Sequence, residues 1–202
     1  MLIYLLLVIA GYLAGSFSSA IIVCKLYGGD DPRRQGSKNP GATNVLRLHG
    51  KVAAVLTLLG DVTKGLAPVL LASLLGAPDL VIALTAVAAF LGHLFPVYFG
   101  FTGGKGIATF VGVLFGMYWP LGIAFSLTWI LVALVFRYSS LAGLSAALLT
   151  PVYAWKLLPE TAYLVSILCM VILMFWRHRS NIRNLVTGKE DKIRFRKAME
   201  QD

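Results

Sequence analysis

The sequence predicts an all-α integral membrane protein of about seven transmembrane helices joined by short loops, with its N-terminus outside and its C-terminus cytoplasmic. Three observations carry that expectation. Only 13% of the 202 residues are charged, about half the ~25% usual in a soluble domain. Charge-free runs cover residues 1–24, 80–104 and 106–136, and each is at or beyond the ~20 residues that a bilayer crossing needs. Sixteen of the eighteen lysines and arginines fall in four segments between or after the apolar runs, as the positive-inside rule expects of cytoplasmic segments. These features exclude a soluble enzyme, a disordered chain, a coiled coil and a nucleic-acid-binding domain. The net charge of +9 is therefore read as a topological signal.

The first span, 2–24, has no basic leader, and its apolar run is too long for a secretory signal. Within it Gly11, Gly15 and Ser19 recur every four residues, a face that lets another helix approach closely. Gly112 and Gly116 repeat that spacing. The second span, 52–76, carries Asp61 and Lys64, which are three apart and able to pair on one helix face. Ionisable groups at such depth face the bundle interior or a wet cavity. The third span, 79–99, carries His93, read as a buried histidine with its hydrogen bonds met. The stretch 106–136 is too long for one untilted helix, and Trp119-Pro120 favours a break, giving spans 106–119 and 120–136. Spans 139–156 and 160–176 complete the set. The chain is then a single polytopic domain, 1–202, with a cytoplasmic phosphate-binding loop at 25–51 and a basic cytoplasmic tail at 177–202. Cys24 and Cys169 both lie in apolar runs, without metal-ligand spacing, and read as packing residues.

Three polar segments gather on the inner side. The first, Arg33 to Arg47, contains Gly36-Ser37-Lys38-Asn39-Pro40-Gly41-Ala42-Thr43-Asn44. Such a mixture of glycines, hydroxyls, amides and cations suits wrapping a phosphate with backbone and side-chain donors. Thr43 or Asn44 is placed to cap a helix starting nearby, and a helix N-terminus attracts anions. An ordinary basic loop facing anionic lipid headgroups is the competing reading. The second segment, Gly100-Phe101-Thr102-Gly103-Gly104-Lys105-Gly106, surrounds one lysine with glycines, so the backbone can approach an anion and the lysine can neutralise it. It is not a Walker A loop, because Gly106 follows the lysine where Ser or Thr is needed. The third, Arg177 to Leu185, places His178 and Asn181 three apart, on one face of a helix. Basic residues at a cytoplasmic helix end also serve simply as topological anchors. No histidine has an aspartate five residues on, no G-x-S-x-G elbow appears, and no cluster of His, Cys or carboxylates suggests a metal.

Gly15-Ser16-Phe17-Ser18-Ser19-Ala20, Gly36 to Asn44, Asp61-Val62-Thr63-Lys64-Gly65, Gly92-His93-Leu94-Phe95-Pro96 with 99–109, and His178-Arg179-Ser180-Asn181-Ile182 together resemble the bacterial acyl-phosphate:glycerol-3-phosphate acyltransferase family (PlsY). The resemblance runs from about residue 11 to residue 190. Asn184 stands where many members carry arginine.

The resemblance implies a bacterial inner-membrane enzyme, multi-pass, with its active site facing the cytoplasm. Its reaction moves a fatty acyl group from acyl phosphate to the 1-hydroxyl of glycerol 3-phosphate, giving lysophosphatidic acid and phosphate for phospholipid synthesis. No metal or other cofactor is expected, the partners are the two substrates and membrane lipid, and no nucleic acid is involved. Ser37, Lys38, Asn39, Gly41, Thr43, Asn44 and Arg47 are then candidates for one phosphate. Gly103, Gly104, Lys105 and Gly106 are candidates for the other phosphate or the developing negative charge, Asn181 and His178 for glycerol 3-phosphate, and Lys64 for a further substrate contact. Lys105, His178 and Asp61 are the candidate catalytic groups. A small anion transporter or channel is the alternative, and a non-catalytic membrane subunit is a third possibility.

Overall fold

The computed structural model describes residues 1–193, and over these residues the regular structure is helical, with no strand. In chain order the helices are α1 (Leu2–Gly15), α2 (Ser19–Leu26), α3 (Ala42–Leu74), α4 (Asp79–Leu94), α5 (Ile107–Met117), α6 (Trp119–Phe136), α7 (Ser139–Leu157), α8 (Thr161–Arg177) and α9 (Arg179–Val186), with a 3₁₀ turn at Val97–Phe99. Among the described residues three helices are long and apolar enough to cross a membrane: Ala42–Leu74, the stretch Asp79–Phe99 and Trp119–Phe136. Two bent pairs, α1 with α2 and α8 with α9, raise the number to five if each is one span. Eleven-residue α5 is about 16 Å long at ~1.5 Å per residue, roughly half a bilayer core. Length and apolarity thus support an integral membrane bundle while falling short of seven independent crossings.

Several boundaries differ from the sequence expectation, each for a physical reason. The first span is not continuous. It bends by 40° between α1 and α2, and the carbonyl of Phe17 in the break accepts a hydrogen bond from Lys64 Nζ at 2.6 Å. A buried ammonium therefore serves a backbone acceptor that the interrupted helix leaves without a partner. The expected loop 25–51 is shorter, because α3 already begins at Ala42 with Gly41 as its N-cap. Thr43 and Asn44 thus lie inside the first turn rather than capping it. Gly50 (φ 81°) kinks α3, a left-handed conformation that glycine adopts without a Cβ penalty, and sets the Arg47 segment at its own angle. The break expected at Trp119-Pro120 falls at Tyr118, whose extended backbone separates α5 from α6. Pro120 then lies in the first turn of α6, where its missing N–H has no intrahelical partner to lose.

Small residues set the helix spacing. A Cβ on Gly15 would lie 2.0 Å from the Ala89 carbonyl oxygen of α4, and one on Gly112 would lie 2.0 Å from the Val62 carbonyl oxygen of α3. The α1–α4 and α3–α5 backbones therefore pack in near contact, as the four-residue spacing predicts. The main core runs through α4, α5 and α6, where Phe110 meets Phe90 and Phe125 edge-on at centroid distances of 6.1 and 5.6 Å. A smaller core joins α2 to α3 around Ala20, Val23, Cys24, Val45 and Ala53. Cys24 is buried there and Cys169 is exposed; both are free thiols. Exposed Leu, Ile, Val and Phe side chains cover much of the bundle's outside, a surface suited to lipid.

Candidate active site

The glycine segment is held by its neighbours on both sides. Past the end of α4 the chain turns back, and the N–H groups of Gly103 and Gly104 donate to the Leu94 and His93 carbonyls at 3.1 and 3.2 Å. Arg177, at the end of α8, donates to the carbonyls of Gly104 (3.1 Å) and Gly103 (2.6 Å). This corrects one expectation: the N–H groups of these two glycines are already used and do not cradle a phosphate. Their glycine identity serves close packing, since a Cβ on Gly104 would lie 2.2 Å from His93 Nε2 and one on Gly103 would lie 2.0 Å from His93 O. Gly106 is the left-handed N-cap of α5 (φ 94°), and the first turn of α5 supplies N–H groups without intrahelical acceptors.

The first polar loop lies against this segment. Arg33 makes a bidentate pair with Asp31 and also donates to the carbonyls of Phe99 (2.6 Å) and Thr102 (3.1 Å), which fastens loop to loop. The hydrogen bonds from Arg33 hold the Asp31 carboxyl below its usual range. Asn44, 1% exposed, accepts from the Ser37 N–H and donates to the carbonyls of Pro32 and Gln35. Its side chain is consumed in shaping the loop, so it organises the site from behind instead of presenting donors to a ligand. Ser37 and Lys38 remain exposed at the loop's tip, with Asn39 and Gly41 half-buried beside them. Lys38 takes a positive φ of 57°, uncommon for a residue other than glycine. Thr43 Oγ1 lies 3.3 Å from Ser139 Oγ, at the start of α7.

Lys105 reaches across to α9, where Nζ donates to Asn181 Oδ1. Asn181 Nδ2 in turn donates to Glu190 Oε1 at 2.6 Å, and Ser140 Oγ donates to the same oxygen at 2.6 Å. Beside Glu190, Asp191 pairs with the half-exposed Arg47 at 3.1 Å. Burial pushes the pKa of Lys105 down, Glu190 pulls it up, and Arg177 and Arg47 push it further down. His178 sits at the α8–α9 junction, 3% exposed, with Nδ1 2.8 Å from the Met174 carbonyl oxygen. A carbonyl only accepts, so Nδ1 carries the proton and Nε2 is left with its lone pair. Burial pushes the pKa of His178 down to about 4; the Met174 hydrogen bond opposes that, and Lys105 adds to it.

The structure thus brings together Lys105, His178, Asn181, Arg47 and the Ser37–Thr43 edge. Asp61 and Lys64 stand apart, behind the glycine segment. Asp61 is 2% exposed and its Oδ1 is 2.8 Å from Lys64 Nζ and 3.8 Å from His93 Nδ1. The carboxylate neutralises the lysine that serves the α1 break, which gives the pair a structural role, and the structure does not bring it to Lys105 and His178, where the sequence reading places its catalytic and substrate contacts. Arg33, Arg177, Ser140, Glu190 and Asp191 complete the site without having been singled out by sequence. In the sequence Arg177 reads as a topological anchor, and nothing in the spacing of the other four marks them. Among the described residues no group of three or more His, Cys, Asp or Glu is arranged to hold a metal.

The glycerol-3-phosphate acyltransferase family model matches residues 5–188. A glycerol-3-phosphate acyltransferase of Thioalkalivibrio sulfidiphilus is 55% identical over 193 residues, covering 96% of this chain and 95% of the relative. A crystal structure of PlsY (YgiH), an integral membrane glycerol 3-phosphate acyltransferase in its glycerol 3-phosphate form, superposes with a TM-score of 0.91 at 38% identity, covering 95% of this chain and 96% of that one. Its lysophosphatidic acid form superposes with a TM-score of 0.88 at 38% identity, covering 94% of each chain.

Proposed function

This chain belongs to the glycerol-3-phosphate acyltransferase family, and from that premise we propose that it transfers a fatty acyl group from acyl phosphate to the 1-hydroxyl of glycerol 3-phosphate at the cytoplasmic rim of a seven-span bundle. The products are lysophosphatidic acid and inorganic phosphate. The observation that carries this reading is the convergence of Lys105, Asn181 and His178, with Arg47 beside them across the Glu190–Asp191 corner. Two anionic reactants repel each other, and a recessed group of cations and donors offsets that repulsion while fixing their approach.

Lys105 neutralises phosphate and the negative charge that develops at the attacked carbonyl. Arg47, Ser37, Lys38, Asn39, Gly41 and Thr43 form the edge that takes the other phosphate, displacing Asp191 from Arg47. Asn181 and His178 Nε2 orient glycerol 3-phosphate. The glycerol oxygen bonds to the acyl carbon as the acyl–phosphate C–O bond breaks, and phosphate leaves with the bonding electrons. An imidazole held at about 4 is a weaker base than a phosphate, whose second pKa is near ~6. The hydroxyl proton therefore ends on the departing phosphate, with His178 accepting a hydrogen bond and aligning the hydroxyl. The N-terminus lies outside and the C-terminus inside, which puts the site in reach of cytosolic glycerol 3-phosphate.

The test is phosphate release by the purified chain. Release is expected only with both acyl phosphate and glycerol 3-phosphate present, and Lys105→Ala lowers turnover at least about 100-fold, the scale of losing one preorganised charge contact. Near-normal turnover in a folded Lys105→Ala protein removes that role. Release without glycerol 3-phosphate, or anion uptake into sealed vesicles without turnover, rejects the reaction itself.

A further inference from the structure

Helix α9 has two unlike faces. Asn181, with His178 just before the helix, belongs to the acyl-transfer cluster. About a third of a turn around the helix from Asn181, Ser180, Arg183, Asn184 and Thr187 follow the i, i+3, i+4, i+7 spacing of a single helical stripe. With Arg179 and Lys189 they line a groove of about 550 Å³ that the proposed reaction does not use. Among the described residues none of its three cations is paired with a carboxylate. The acids nearest in sequence are turned elsewhere, Glu190 to Ser140 and Asn181, and Asp191 to Arg47.

The surroundings say what kind of anion belongs there. The Arg179 guanidinium lies 4.9 Å above the Trp176 ring, and Trp176 is a half-exposed indole in the last turn of α8, where aromatic anchors of spans sit. Arg179, Arg183 and Val186 are neighbours on successive turns, and Val186 is 83% exposed. An exposed valine and an interfacial indole beside three unpaired cations describe a surface that meets lipid rather than one that captures a free ion from water.

We propose that this groove binds the headgroup of an anionic phospholipid of the surrounding bilayer. The phosphodiester oxygens accept from Arg179, Arg183 and Lys189, Ser180 and Asn184 donate to the headgroup, and the acyl chains leave past Val186. The site is separate from the acyl-transfer cluster and is centred about a third of a turn around α9 from Asn181.

The test uses the full chain in detergent, titrated with dioctanoyl phosphatidylglycerol, dioctanoyl phosphatidylcholine or inorganic phosphate, with bound lipid read by native mass spectrometry. Phosphatidylglycerol is expected to bind at least about tenfold more tightly than phosphatidylcholine. Arg183→Gln and Lys189→Gln each weaken it about fivefold, Arg183→Lys leaves it intact, and inorganic phosphate does not displace it. Acyl transfer retained by the glutamine variants shows that they fold; if one does not, the other alone decides. Equal binding of the two lipids, or undiminished binding in the glutamine variants, overturns the proposal. Displacement by inorganic phosphate makes the groove a free-anion site and overturns the lipid assignment. Loss of binding in Lys105→Ala but not in the groove variants moves the lipid to the acyl-transfer cluster, which equally overturns it.

Discussion

Burial first, and then the cations Lys105 and Arg177, lower the affinity of the His178 imidazole for a proton, and its protonation links the site to folding. In the unfolded chain the group titrates near ~6.5, but in the folded chain at about 4. Between those values the unfolded state binds the extra proton, so stability rises with pH across that window and is lost as the pH falls through it. Thermal melting of the detergent-solubilised protein is therefore expected to drop as the pH goes from 7 to 5. His178→Gln, which still donates to the Met174 carbonyl and does not titrate, flattens that slope. An unchanged slope in the variant shows that the histidine is not desolvated as described. At this scale sequence nominated residues but not their states. His178 and Asn181 were legible as a pair three apart, and Lys105 as the one cation among glycines. The proton on Nδ1, the use of the Gly103 and Gly104 N–H groups by α4, and the inward turn of Asn44 all depend on partners distant in the chain.

Among the elements, the break between α1 and α2 has the plainest cause. Its open carbonyl at Phe17 is served by Lys64 from α3, and Asp61 one turn earlier balances that charge. Removing one partner of a buried pair leaves an uncompensated charge, at a cost of about 3–5 kcal/mol, whereas removing both costs far less. Asp61→Asn alone is thus expected to melt well below the Asp61→Asn/Lys64→Met double variant, which loses chiefly the bond to Phe17, about 1–2 kcal/mol. The double variant retains acyl transfer. A stable but inactive double variant would restore Asp61 or Lys64 to the chemistry. Periodicity located these elements because spans are apolar for their whole length. It missed the α1–α2 bend, whose cause lies 47 residues away along the chain, and it put the start of α6 one residue late, because proline is tolerated in a first turn and the extended residue at Tyr118 precedes it.

For the whole molecule, the charge distribution and the bundle lead to one topological prediction. A cysteine placed at Gln35 is expected to react with an impermeant thiol reagent only from the cytoplasmic side, and one placed at Pro159, in the α7–α8 connection, only from the outside. The opposite sidedness would put the cation cluster out of reach of its cytosolic substrate. Composition alone decided that the chain lives in a bilayer and that it is helical, because a hydrocarbon solvent leaves the backbone little choice, and its lysines and arginines, which cross that solvent at high cost, set the sidedness to be tested. The family's residue pattern was readable for the same reason, since the few polar side chains of so apolar a chain stand out. Folding was needed to decide which of them meet. Lys105 and Asn181 are 76 residues apart in the chain and touch only because α4 and α8 end, and α5 begins, at a common rim, while Asp61, just as polar in sequence, is turned into the bundle. Local pattern reports what a residue is able to do; the packing of distant helices determines which partner it has, and that contact energy is not encoded within any one segment.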